Sequence, residues 1–153
     1  MIYTQSESQI VFSSNIEKEV AEIINSCKSK VFVLTDSNTI RYCYPLIEKS
    51  MTGKADIFTM PAGEEQKNIE SVVKVWDFLN SNGADRKSLL INLGGGVLCD
   101  LGGFAASTFK RGIDFIQIPT TLLAQIDASV GEKQGLILKN IKMKLAAFLF
   151  QKK

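Results

Sequence analysis

Four strand-like runs, each closed by a polar or glycine-rich cluster and separated from the next by a helical pattern, constrain this chain more than any other feature. The runs are Val31–Leu34, Asp56–Met60, Ser88–Leu93 and Phe115–Ile118. They lead into Thr35-Asp36-Ser37-Asn38, Pro61-Ala62-Gly63-Glu64, Gly94-Gly95-Gly96 and Pro119-Thr120-Thr121 respectively. The continuous apolar run Val31–Leu34 fits a strand covered on both faces. The alternation of the four runs with helices predicts an α/β fold, a mostly parallel sheet with helices on both faces and right-handed crossovers.

The helical segments carry the expected periodicity. Ile16, Val20, Ile23, Ile24 and Cys27 form one stripe behind Ser13-Ser14-Asn15, whose side chains offer N-cap oxygens. A helix over Thr39–Ser50 is disturbed by Pro45. Ile69, Val72, Val73, Trp76 and Leu79 share a face of the next helix, which stops near Gly83. Val97–Phe109 is apolar almost all round and predicts a buried helix. Ile2–Thr4 and Gln9–Phe12 predict a short N-terminal strand pair.

A chain of 153 residues, 45% hydrophobic and 22% charged, has the makings of one domain with its own core, and no apolar run is long enough for a membrane span. It has no histidine, which excludes a histidine-based triad and leaves only carboxylates and thiols as metal ligands. Three cysteines without a recognisable spacing favour a reducing compartment, and the first residues carry no secretory pattern, so a cytoplasmic location is expected. Residues 130–153 hold six lysines and one glutamate. Arginine is scarce there and aromatics are not interleaved with the lysines, which argues against a nucleic-acid partner. The expected organisation is a domain over 1–138 and a basic tail over 139–153.

In open α/β sheets, ligands bind beyond the carboxyl ends of the strands. Four polar clusters at such ends predict one nucleotide-sized site. Gly94-Gly95-Gly96 is the sharpest of them: without Cβ atoms, backbone can approach a phosphate at the positive end of the following helix. Its spacing is neither GxGxxG nor a Walker loop. Asp100, one turn into that apolar helix, needs a partner or a capping role. Gly102-Gly103 inside the same helix costs about 1 kcal/mol per residue relative to alanine, which close packing or a ligand offsets. Lys110-Arg111 are ordinary helix-terminal cations by position. Asp127 and Lys133 are an acid and a lysine able to hold a hydroxylated or phosphorylated substrate, or a plain surface pair.

Together these clusters resemble the dehydroquinate synthase family. The likeness is carried by LGGGVLCDLGGFAASTFKRGIDFIQIPTTLLAQIDASVG, Leu93 to Gly131, with LTDSNT at 34–39 and PAGEEQK at 61–67. It implies a Rossmann-like NAD-binding domain, the N-terminal half of an enzyme that converts 3-deoxy-arabino-heptulosonate 7-phosphate to 3-dehydroquinate and phosphate in the shikimate pathway. Such enzymes use NAD and a divalent metal, zinc or cobalt, and form homodimers. By resemblance, Asp36 and Asn38 face the adenosine, Glu64 and Lys67 lie along the nucleotide, and Gly95, Gly96 and Val97 meet the pyrophosphate. Asp100, Thr120 and Thr121 lie near the nicotinamide half. Asp127, Lys133 and Lys142 match positions near substrate and nicotinamide, and Arg111 matches an arginine that reaches the substrate phosphate across a dimer interface.

Departures accompany the matches. Glu132 stands where the family has glycine, Ile137 where it has asparagine, and Met143 follows Lys142 where the family has asparagine. The family's metal ligands, a glutamate and two histidines, belong to a C-terminal helical domain beyond these 153 residues. No metal ligand is therefore assigned here, and the chain alone is expected to be catalytically incompetent. The alternatives are a degenerate NAD-binding fragment without activity, a part of another sugar-phosphate cyclase or polyol dehydrogenase-like relative, or a basic-tailed binding module.

Overall fold

The computed structural model describes residues 2–5, 8–127 and 147–151. The chain begins with β1 (Ile2–Gln5) and β2 (Ser8–Phe12), an antiparallel pair. Next comes α1 (Ile16–Ser26), started by Asn15, whose side chain accepts a hydrogen bond from the Lys18 amide at 3.1 Å. Strand β3 (Val31–Asp36) leads into α2 (Thr39–Tyr42), a 3-10 turn over Tyr44–Leu46, and α3 (Glu48–Met51). Pro45 thus divides the predicted helix into short pieces, as its missing amide requires.

Then follow β4 (Ala55–Met60), α4 (Ile69–Ser81), β5 (Leu89–Gly94), α5 (Gly96–Thr108), β6 (Asp114–Pro119), α6 (Leu122–Asp127) and β7 (Ala147–Gln151). The strand order is β1-β2-β7-β6-β5-β3-β4. The ladder β6-β5-β3-β4 is parallel, and the flanking strands join antiparallel.

Residues 147–151 fall within the predicted tail, yet they pair with β2 on one side and β6 on the other. Ala147, Phe148, Leu149 and Phe150 make a short β-prone run whose unpaired backbone a sheet can satisfy.

Each buried strand divides its side chains between two cores. Phe32, Leu34 and Leu90 face α4 and α5, packing with Val72, Val75, Leu79, Leu98 and Leu101. Val31, Val33, Leu89 and Ile91 face the other way, packing with Val20, Ile24, Tyr44, Ile47 and Met51 from the helices α1 to α3. At about 1.5–3 kcal/mol per large buried apolar side chain, these two layers supply the main drive for folding. Among the described residues, no helix is long and apolar enough to cross a membrane.

Strand β3 connects outward to β4, and β4 crosses back to β5 on the other side of β3. The reversal opens a crevice between the carboxyl ends of β3 and β5, where a doubly wound sheet takes ligands.

Candidate functional site

That crevice is a cleft of about 330 Å³, within the range of small-molecule sites. All four polar clusters enter it. Asp36, Asn38 and Thr39 come from beyond β3; Met60, Pro61, Ala62, Gly63, Glu64 and Gln66 from beyond β4; Gly95 to Leu98 from beyond β5; Thr120 and Thr121 from beyond β6.

Short local bonds shape each wall. Asp36 Oδ1 accepts from the amides of Asn38 and Thr39, both at 2.8 Å, which starts α2 and fixes the carboxylate at the rim. The Ser37 amide donates to the Met60 carbonyl at 3.0 Å, and the Ala62 amide to Ser37 Oγ at 3.2 Å, so the loops after β3 and β4 are tied together. The Thr120 amide donates to the Gly94 carbonyl at 2.9 Å. Thr121 Oγ1 accepts from the Ala124 amide at 3.1 Å and starts α6.

The glycine turn opens the floor. Gly95 caps α5 without any side-chain hydrogen bond, so the first-turn amides are left to whatever occupies the cleft. A Cβ on Gly95 would touch Thr121 Cγ2 at 3.2 Å, whereas one on Gly96 would meet nothing within 4 Å. Gly96 therefore presents bare backbone to the opening. Amides and a helix dipole behind an uncovered backbone are the features an anionic phosphate requires.

Of the sequence-derived candidates, Asp36, Asn38, Glu64, Gly95, Gly96, Val97, Thr120 and Thr121 line the cleft. Lys67 and Asp100 do not line it but bind each other, Nζ to Oδ2 at 2.8 Å. The open question over Asp100 is thereby answered: an apolar helix tolerates this carboxylate because a lysine from the loop after β4 pairs with it. Arg111 lies elsewhere. It follows α5, whose 13 residues run about 20 Å away from the glycine turn, so Arg111 sits by the opposite edge of the sheet. There Lys110 and Arg111 take positive φ, 48° and 72°. Asp127 closes α6, while Lys133 and Lys142 lie outside the described residues.

Sequence reasoning passed over Thr39, Met60, Gln66 and Leu98 as lining residues, and also the buried amides Asn92 and Gln117. Both amides interrupt apolar runs, which is a readable sign, but only the sheet register reveals that they are neighbours. The thiol of Cys99 is buried behind the turn, and burial, reinforced by the Asp100 carboxylate, pushes its pKa far up. It is no nucleophile.

A family model described as 3-dehydroquinate synthase N-terminal matches residues 57–153. The chain belongs to that family. The 3-dehydroquinate synthase of Parabacteroides distasonis is 43% identical over 145 residues, covering 94% of this chain and 41% of that protein. A bifunctional 3-dehydroquinate synthase/phosphatase of Fusobacterium nucleatum is 52% identical over 95 residues, covering 62% of this chain and 14% of that one. The chain thus spans well under half the length of these 3-dehydroquinate synthase relatives. Among solved structures, 2-epi-5-epi-valiolone synthase from Streptomyces hygroscopicus, with NAD+ and Zn2+ bound, superposes with a TM-score of 0.70 at 24% identity, covering 88% of this chain and 40% of that one. A 2-deoxy-scyllo-inosose synthase superposes with a TM-score of 0.63 at 21% identity, covering 84% and 40%. These two likenesses establish the fold.

Proposed function

We propose that this chain is the NAD-binding part of a 3-dehydroquinate synthase, and that its 153 residues by themselves turn over no substrate. The observation that carries the first half is the uncapped start of α5, with Gly96 bare, inside a cleft walled by four strand ends. Family membership and the NAD+ in the valiolone synthase support the choice of ligand.

NAD, when bound, supplies reversible hydride acceptance. The chain's own residues bind and orient it. The amides of Gly96 and Val97 hold the pyrophosphate, and Asp36 accepts a hydrogen bond from a ribose hydroxyl at the β3 end. A carboxylate there also repels a 2′-phosphate, so NAD is preferred over NADP. Thr120 and Thr121 offer hydroxyls on the far wall, toward the nicotinamide. Arg111, near the opposite sheet edge, serves a substrate phosphate only in a second copy's site, in keeping with a homodimer.

The described residues do not fit a metal. The sequence has no histidine, and among the described residues there is no group of three or more cysteine, aspartate or glutamate side chains placed to hold an ion. No step is assigned to a metal in this part of the enzyme. With 3-deoxy-arabino-heptulosonate 7-phosphate, NAD and zinc added, the purified chain is expected to release phosphate at the background rate. Release above background would refute the incompetence of the 153 residues.

A further inference from the structure

Beneath α5 lie two amides that a stability-driven core would not contain. Asn92 on β5 and Gln117 on β6 are register partners, both 0% exposed. Among the described residues, both Asn92 side-chain polar atoms and Gln117 Oε1 have no hydrogen-bond partner, a cost that apolar side chains of similar shape would avoid. The helix above is cut to fit them. A Cβ on Gly102 would collide with the Asn92 side chain, and one on Gly103 would stand 3.0 Å from Gln117 Nε2. The glycine pair, unfavourable in a helix, thus lets α5 settle onto two specific amides.

Among the described residues, one atom of this group makes a hydrogen bond, and its partner is informative. Gln117 Nε2 donates to the Cys99 carbonyl at 2.8 Å. Cys99 belongs to the first turn of α5, the turn whose leading amides front the cleft. Gln117 itself lies three residues before Thr120, which fronts the same cleft from β6. One buried amide therefore joins two walls of the site from behind.

We propose that Gln117 is a positioning residue of the nucleotide cleft: it sets the height of the α5 amino end over the sheet, with Gly102 and Gly103 giving the clearance. The proposal rests on the dinucleotide reading above. A bound anion needs donors held to about 0.5 Å, so a shift of this turn weakens phosphate-bearing ligands while sparing groups held at the β3 and β4 walls.

The test compares Gln117→Met, which keeps the volume and loses the donor, with Met51→Ala, a core truncation on the other face of the sheet. Affinities for NAD and for adenosine are measured calorimetrically on the full chain. Gln117→Met is expected to bind NAD about tenfold more weakly, with adenosine affinity changed less than twofold. Met51→Ala should leave both unchanged. NAD affinity within twofold of the parent, or an equal loss for NAD and adenosine, would overturn the proposal. Gly103→Ala, which pushes on Nε2 from the helix side, should reproduce the selective loss if Gln117→Met does not fold. Failure of the parent chain to bind NAD would sink the dinucleotide reading instead. The seat is then read from amide hydrogen exchange over residues 96–103: faster exchange in Gln117→Met or in Gly103→Ala, with α4 unchanged, supports it, and unchanged exchange overturns it.

Discussion

Lys67 Nζ lies 2.8 Å from Asp100 Oδ2 and ties the loop after β4 to α5 just past its first turn. The two side chains keep 26% and 22% of their exposure, so the bond is neither a solvated surface pair nor a dry internal one. It holds together the two segments on either side of the cleft: Gln66 and Leu98, each close to one partner in sequence, both line it.

A double-mutant cycle of Lys67→Met and Asp100→Asn should give a coupling of about 0.5–1.5 kcal/mol in urea unfolding, between the values for exposed and charge-assisted buried pairs. A coupling near zero would mean that the pair does not lock the loop.

Gly96 offers a cleaner separation of binding from stability. Because nothing lies within 4 Å of a Cβ there, Gly96→Val should change unfolding free energy by no more than about 0.5 kcal/mol. The same branched side chain covers the backbone a phosphate must reach, so NAD affinity should fall at least about tenfold. Equal affinity in calorimetry would show that this backbone faces no ligand.

Gly102→Ala places a methyl group against Asn92 and should cost about 1–3 kcal/mol by overpacking, despite alanine's better helix propensity. Asn92→Ala removes the obstacle together with two unsatisfied polar atoms. In the double variant the alanine at 102 should therefore be tolerated or favourable, a coupling of at least about 1 kcal/mol measured by denaturant titration.

The Cys99 thiol keeps its proton in the folded state, because burial and the nearby Asp100 carboxylate both oppose the thiolate. Unfolding lets it ionise near the ordinary thiol value of 9.0. The unfolded state then binds fewer protons than the folded state, so stability is full below that pH and is lost above it, by up to about 1.4 kcal/mol per pH unit. Between about pH 8 and 10, roughly one unit either side of that value, Cys99→Ala should show a shallower decline than the parent. Identical slopes in pH-resolved urea titrations would contradict this.

The parallel strands and their cleft-lining ends were legible in the chain because each signal is local. Apolar runs, Pro61, Gly94 to Gly96 and Pro119 mark where backbone must straighten and turn. Features that depend on pairing at a distance were not legible. Residues 147–151 read as a tail because five residues show no partner in sequence, and β2 and β6 supply it only in space. Asp100 looked like either a cap or a buried pair until Lys67 came within reach. The cost of Gly102-Gly103 was plain from composition, but the reason for it required knowing that Asn92 and Gln117 stand side by side. Arg111 could be matched to a motif, yet its place near the opposite edge from the cleft follows from the length of α5.

The most direct test of the central claim is a calorimetric titration of the 153-residue chain with NAD, paired with a melting curve. One NAD should bind per chain, and NAD at one hundred times Kd should stabilise the fold by about 2.7 kcal/mol. No heat and no rise in Tm at millimolar NAD would contradict a dinucleotide site at the start of α5.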